Sequence, residues 1–227
     1  MKIKFLGHGC FLIETQGKKL IVDPFISPNE LAKEIDVNEI RVDYVLLTHG
    51  HEDHVADAEL IAKNSDATII SNFEIVSWYG EKGLKGHPMN HGGKRSFDFG
   101  ELKYVNAIHS SVLPDGTYGG NPGGFVLKSG GKTLYIAGDT ALHMDMKLIP
   151  MTSGKLDAAI LPVGDNFTMG TDDALIASDF IECDKIIGCH FDTFGYIVIE
   201  DKGAAVADFK AKNKELILPQ IGDEISI

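Results

Sequence analysis

The amino-acid sequence predicts an α/β protein in which two β-sheets pack face to face with helices outside them. Two observations carry that expectation. Strand-like stretches form hairpins around glycine turns in both halves of the chain, and short apolar strands recur just before a polar residue, with helical stretches between them. In chain order, Ile3, Phe5 and Leu6 open a first strand. Phe11 to Thr15 and Lys19 to Asp23 flank Gln16-Gly17, a hairpin signal, and Asp23-Pro24 ends the pair because proline cannot donate to a ladder. Tyr44 to Leu47 reads as a strand, followed by a helix from Asp53 to Lys63 with Val55, Ala58 and Ala62 on one face. A helix is expected over Phe73 to Gly83, a strand over Tyr104 to Ile108, and a second hairpin where Phe125 to Lys128 and Lys132 to Ile136 flank Gly130-Gly131. Helices over Asp172 to Ile181 and Glu200 to Lys212 bracket the strand Lys185 to Cys189.

Bulk properties narrow the function classes. A chain of 227 residues suits one large domain or two small ones; no linker divides it, so a single domain over 1–227 is expected. No apolar run approaches the roughly 18 residues of a membrane span, and no basic-then-apolar leader opens the chain. Cysteines Cys10, Cys183 and Cys189 form no C-x-x-C pair, which fits a reducing compartment, and cytoplasmic residence is the expectation. Each reads as a small buried residue, although Cys189 is placed to line a site beside His190. The net charge of −12 and the presence of only two arginines, Arg41 and Arg95, argue against a nucleic-acid partner. The cluster Lys82, Lys85, Lys94 and Arg95 is flanked by Glu81 and Asp98 and reads as a solvated loop. A small-molecule partner is expected, with no membrane; assembly of identical copies stays open.

Function is written most densely at His49-Gly-His51-Glu-Asp53-His54. Neutral imidazole and carboxylate are the ligands that borderline divalent metals take. His49 and His51, two apart in an extended loop, point to one side and can chelate one ion. Asp53 and His54 are adjacent and open a helix, where neighbours diverge by about 100°, so they suit a second ion. His109, Asp139 and His190 each follow a predicted strand. The set then closes with His49, His51 and His109 on one metal, Asp53, His54 and His190 on the other, and Asp139 bridging. Two divalent ions lower the pKa of bound water from 15.7 to about 7 and can stabilise a developing oxyanion. Their excess positive charge points to an anionic or polarisable substrate.

These segments resemble the metallo-β-lactamase superfamily over essentially the whole chain. Within it they resemble the UPF0173-type hydrolases, which are similar to the ascorbate-phosphate lactonase branch. The resemblance rests on Leu6-Gly-His-Gly-Cys-Phe-Leu-Ile13, Val22-Asp-Pro-Phe25, Leu47 to His54, Ile108-His-Ser-Ser111, Ala137-Gly-Asp-Thr140, Leu161 to Gly170 and Cys189-His-Phe191. It implies a four-layer αββα sandwich holding a dinuclear site at one sheet edge, the five family motifs falling on Asp23, on His49/His51/Asp53/His54, and on His109, Asp139 and His190. It also implies a hydrolase in which a hydroxide shared by two ions, zinc first and otherwise manganese, iron or nickel, cleaves an ester, lactone or phosphodiester bond in a small anionic substrate. Asp139, where many true β-lactamases carry cysteine, argues against antibiotic hydrolysis; His51, where redox relatives carry glutamate, favours hydrolysis. An RNA-processing nuclease of the same fold and a metal-binding protein without turnover are the alternatives.

Outside the metal set, Asp23 is either a carboxylate behind a ligating histidine, fixing its tautomer, or part of a strand-ending Asp-Pro turn. Asp53 and His8 are the catalytic candidates. His8 either contacts substrate and moves a proton or is a strand-end histidine bonded to backbone. Asn166 either donates to a substrate oxyanion or anchors its loop. Gly119 to Gly124 lacks the context of a phosphate-binding turn and reads as a loop near the site, and His87, His91 and His143 are expected at the surface.

Overall fold

The computed structural model describes residues 1–227. It has fourteen strands: β1 (Lys2–Gly7), β2 (Cys10–Thr15), β3 (Lys18–Val22), β4 (Tyr44–Leu46), β5 (Thr68–Asn72), β6 (Gly86–Met89), β7 (Lys94–Phe97), β8 (Gly100–Asn106), β9 (Gly123–Ser129), β10 (Lys132–Ile136), β11 (Ala158–Pro162), β12 (Lys185–Cys189), β13 (Glu215–Ile217) and β14 (Glu224–Ser226). Six α-helices accompany them: α1 (Glu52–Val55), α2 (Ala58–Ser65), α3 (Phe73–Glu81), α4 (Leu148–Ser153), α5 (Thr171–Phe180) and α6 (Lys202–Ala211). The strands make two seven-stranded sheets, ordered β14-β1-β2-β3-β4-β5-β6 and β13-β12-β11-β10-β9-β8-β7. Each sheet is antiparallel where hairpins build it and parallel where helices connect its strands.

Both predicted hairpins form. Gln16-Gly17 (φ 49° and 73°) and Gly130-Gly131 (φ 59° and 77°) are left-handed pairs, the conformation that a two-residue turn needs to match strand twist. One apolar cluster, including Phe11, Val22, Leu46, Tyr104, Phe125 and Ile136, fills the space between the sheets. A second packs β10–β12 against α4, α5 and α6, and a third packs β3–β5 against α2 and α3. Helices thus cover both outer faces, giving the four-layer sandwich. No helix is long and apolar enough to cross a membrane.

Local departures from the predicted elements have physical reasons. The helix expected from Asp53 to Lys63 breaks into α1 and α2 at Asp57, whose carboxylate leaves helix duty to accept from Ile26 N (2.7 Å), Ser27 N (2.9 Å) and Ser27 Oγ (2.6 Å). Strand β8 stops at Asn106, short of the predicted Ile108, as the chain turns to deliver His109. Helix α4, with Pro150 inside it, gives no clear helical signal. All three cysteines are buried and free, and Cys189 packs in the inter-sheet core. His143 is also buried, against the surface position expected, with neither ring nitrogen bonded.

Candidate metal centre

Six strands lead into polar side chains at the cleft. From the first sheet, β1 leads to His8, β3 to Asp23 and β4 to the run Thr48–His54; from the second, β8 leads to His109, β10 to Asp139 and β12 to His190. Three of these residues, His8 (φ 55°), Asp23 (φ 43°) and His190 (φ 57°), hold the left-handed backbone that residues with a Cβ avoid. Such strain persists only where surrounding structure imposes it, and it turns each side chain from the strand end into the cleft. His190 N donates to His8 O (3.0 Å), tying the two sheets together at this point.

The ligand-type atoms fall into two groups, each within 4.8 Å of one another: His49, His51 and His109; and His8, Asp53, His54 and His190. Asp139 lies between the groups. Its Oδ2 is 3.0 Å from His190 Nε2, 3.4 Å from His54 Nε2, 3.6 Å from His109 Nε2 and 4.0 Å from His49 Nε2. One carboxylate oxygen therefore reaches imidazoles of both groups. All seven residues predicted as ligands are brought together.

Hydrogen bonds on the far side of the rings fix which nitrogen faces inward. The Thr48 hydroxyl donates to Asp23 Oδ2 (2.6 Å), so its oxygen accepts from His49 Nδ1 (3.0 Å), leaving a lone pair on His49 Nε2. His54 Nδ1 donates to the same Asp23 oxygen (3.0 Å), leaving Nε2 without a hydrogen-bond partner, and His51 Nε2 bonds Ser110 Oγ (3.1 Å). His49 Nε2 and His51 Nδ1 then face each other at 3.0 Å. With Ser110 donating to His51 Nε2, His51 Nδ1–H closes this contact as a hydrogen bond; once that proton leaves, both nitrogens become donors to one cation, and with the unpartnered His54 Nε2 the set fits divalent metal. Asp23 also comes within ligand range of His49 and His54, but both its oxygens are taken, Oδ1 by Thr48 N (2.8 Å).

Electrostatics agree with this division. Burial pushes the His49 pKa well below its ordinary value, and lowers those of His51 and His109, keeping them neutral. Burial opposes charge on His54 and His190 as well, but the Asp139 carboxylate outweighs it, raising both, His190 to about 9. Burial opposes charge on Asp139 too, yet the His190 and His54 imidazoles hold its carboxyl well below the usual range. Asp139 with His54 and His190 thus forms an ion cluster, and a divalent ion bound there would displace the imidazole protons.

His8 is only 1% exposed. Its Nε2 bonds Asp53 Oδ2 (3.0 Å), its Nδ1 bonds Thr193 Oγ1 (3.0 Å), and burial lowers its pKa to about 4. Asn166 is exposed on the loop between β11 and α5, in a left-handed conformation. The Gly119 to Gly124 segment lies against the centre: Gly123 N donates to Thr48 O (3.1 Å), and Gly119 O accepts from Ser111 Oγ (2.8 Å). Sequence reasoning passed over Thr48, Ser110 and Thr193. Their signal was adjacency alone, a hydroxyl next to His49, one next to His109, and one three residues past His190.

Comparison with known proteins places these features in a family. Residues 2–190 match the beta-lactamase superfamily domain. The chain is 61% identical over 227 residues, covering all of both chains, to a UPF0173 metal-dependent hydrolase of Flavobacterium johnsoniae. It is 43% identical over 213 residues, 92% of each chain, to the UPF0173 metal-dependent hydrolase YtkL of Bacillus subtilis. Among solved structures, Igni18, a metallo hydrolase from Ignicoccus hospitalis, superposes with a TM-score of 0.88 at 30% identity, covering 99% of this chain and 97% of that one.

Proposed function

This chain belongs to the metallo-β-lactamase superfamily, in its UPF0173 branch, and from that premise we propose that it is a metal-dependent hydrolase with a dinuclear centre that cleaves an ester, lactone or phosphodiester bond in a small molecule. The observation that carries this reading is Asp139 Oδ2, within 4.0 Å of imidazole nitrogens from both ligand groups. His49, His51 and His109 would hold one ion, Asp53, His54 and His190 the other, and Asp139 would join them. Zinc suits a set of imidazoles and carboxylates, and manganese, iron or nickel can replace it according to supply. When bound, two such ions supply Lewis acidity and an activated water at neutral pH.

The protein's own residues do the rest. Asp23 orders His54 directly and His49 through Thr48, so one buried carboxylate sets the tautomer of a ligand in each group. His8 acts through Asp53: its ring is enclosed and holds the carboxylate oxygen, which makes it a positioning residue. Asn166, exposed on its loop, is our candidate donor to a substrate oxygen. Asp53, with 29% of its side chain exposed, is the ligand nearest to solvent on the second group and the candidate for proton exchange with product.

The test is a metal-reconstituted protein assayed on esters, lactones and phosphodiesters beside an Asp139→Ala variant. We expect two equivalents of metal and turnover in the parent, and loss of at least one ion and nearly all turnover in the variant. Parent-like rates in the variant refute the assignment.

A further inference from the structure

The stretches of loop that adjoin the ligands carry no lysine or arginine; Lys33, Arg41 and Lys147 come later in their segments, Lys147 over the Phe180 ring. Residues 23–30, 49–56, 108–121, 139–146, 164–170 and 190–199 include Glu30, Glu52, Asp115, Asp145, Asp165 and Asp192, but no basic side chain other than histidine. Lys202, which opens the helix after the last of these loops, is paired with Asp192. A polyanion, or a substrate with a second charged group away from the reacting bond, would find no cation to meet it.

Apolar side chains stand there instead. Ile108, Val112, Tyr118, Phe167 and Tyr196 are each between 45% and 62% exposed. Two separate chains of contact tie them to the centre. Starting at the buried His8 ring, Phe194 sits edge-on at 5.4 Å, Tyr196 follows at 6.1 Å from Phe194, and Phe167 at 5.5 Å from Tyr196. Aromatic contacts thus run without a break from the residue that holds Asp53 out to solvent. Separately, Ile108 adjoins His109 and its backbone bonds Thr140 Oγ1 (3.0 Å) beside Asp139, while Val112 pairs with Tyr118 just past Ser110, the partner of His51. Exposed apolar groups on this scale, rimming a polar centre, mark a place where apolar matter binds.

We propose that these side chains form an apolar subsite, and that the substrate carries its hydrolysable polar group to the ions and an uncharged, apolar or aromatic body onto the Phe167–Tyr196–Phe194 wall. This rests on the hydrolase reading above and narrows its substrate class: any negative charge belongs to the reacting group, and the remainder of the molecule is hydrophobic. The anionic character expected from the metals alone is thereby confined to one end.

The test uses the metal-reconstituted full chain and 4-nitrophenyl esters of straight-chain acids from acetate to octanoate, with 4-nitrophenyl hydrogen succinate as the charged comparison. Each methylene that reaches the wall should raise kcat/KM by up to about fourfold, from ~0.8 kcal/mol per buried CH₂, and the succinate should lag behind the neutral ester of similar length. Phe167→Ala with Tyr196→Ala should flatten that dependence mainly through KM. Met151→Ala, at a 78% exposed apolar residue outside these loops, should retain it. A flat chain-length profile in the parent, or preference for the succinate, overturns the proposal. So does an unchanged slope in a double variant that changes oligomeric state, because the wall would then be a contact between copies. If metal binds and no ester, lactone or phosphodiester is turned over, the hydrolase reading fails by itself; binding of the neutral probe N-phenyl-1-naphthylamine still tests the wall. Weaker probe binding in the double variant supports it, and equal binding refutes it.

Discussion

Replacing Asp23 by asparagine should weaken one ion far more than the other. The carboxylate is 1% exposed and accepts three hydrogen bonds, from Thr48 N (2.8 Å), the Thr48 hydroxyl (2.6 Å) and His54 Nδ1 (3.0 Å). An amide offers one oxygen. Seated at Oδ2, it keeps the hydroxyl and His54 but sets its NH₂ against the Thr48 N–H; seated the other way, the NH₂ opposes two donors. Either way a buried donor is stranded, at about 1–3 kcal/mol. Removing the negative charge also lowers the basicity of His54, and changes behind a ligand of this kind typically cost 10–100-fold in metal affinity. Thr48→Val is the complementary variant. It leaves the Asp23–His54 bond intact but removes the acceptor of His49 Nδ1–H, freeing that ring to place its proton on the inward nitrogen, so the loss should fall on the ion held by His49. Competition against a chromophoric chelator resolves the two binding steps. Asp23→Asn should shift chiefly one step and Thr48→Val the other. If both variants bind both ions as the parent does, or both weaken the same step, the relay through Thr48 is wrong.

Two further outcomes follow from the same geometry. A Cβ on Gly164 would lie 2.0 Å from the His190 carbonyl oxygen, so Gly164→Ala must displace His190. We expect about 1–3 kcal/mol of destabilisation and weaker binding of the ion that His190 holds; thermal melting and chelator competition check this, and parent-like values in both would count against the assigned position. In metal-free protein the His190 pKa is raised to about 9 from 6.5, mainly through Asp139 against the opposing effect of burial. A raised folded-state pKa gives stability that is complete below pH 6.5 and is lost as pH rises through about 9. The urea midpoint of the metal-free protein should therefore fall across that window, and metal loading, which needs the neutral ring, should abolish the fall. A midpoint rising over the same range contradicts the ion cluster.

Much of the architecture was legible because its signals are local. Gln16-Gly17 and Gly130-Gly131 announce left-handed turns, and the strands feeding His49, Asp139 and His190 are short apolar runs cut off by a polar residue. The ligand set was legible for the same reason, since His49 to His54 is contiguous and its completing residues sit at strand ends. What could not be read depends on long-range contact. Asp57 breaks a periodic helix only because the loop at Ile26-Ser27 lies where its carboxylate can cap it. His143 is buried by packing that no neighbouring residue foretells. The enclosure of His8 depends on Thr193, 185 residues away, folding over it. The hydroxyls of Thr48 and Ser110 are common residue types, and only coordinates show that they point behind the imidazoles.

The split origin of the centre has a mechanical consequence. Residues 49–54 hang from one sheet, while His109, Asp139 and His190 hang from the other, and the chain passes between them once near Asn90–Gly93 before its last strand returns to β1. Bound metal is then a clasp across a seam: a protein nicked at that crossover should hold its halves together more firmly with ions than without them.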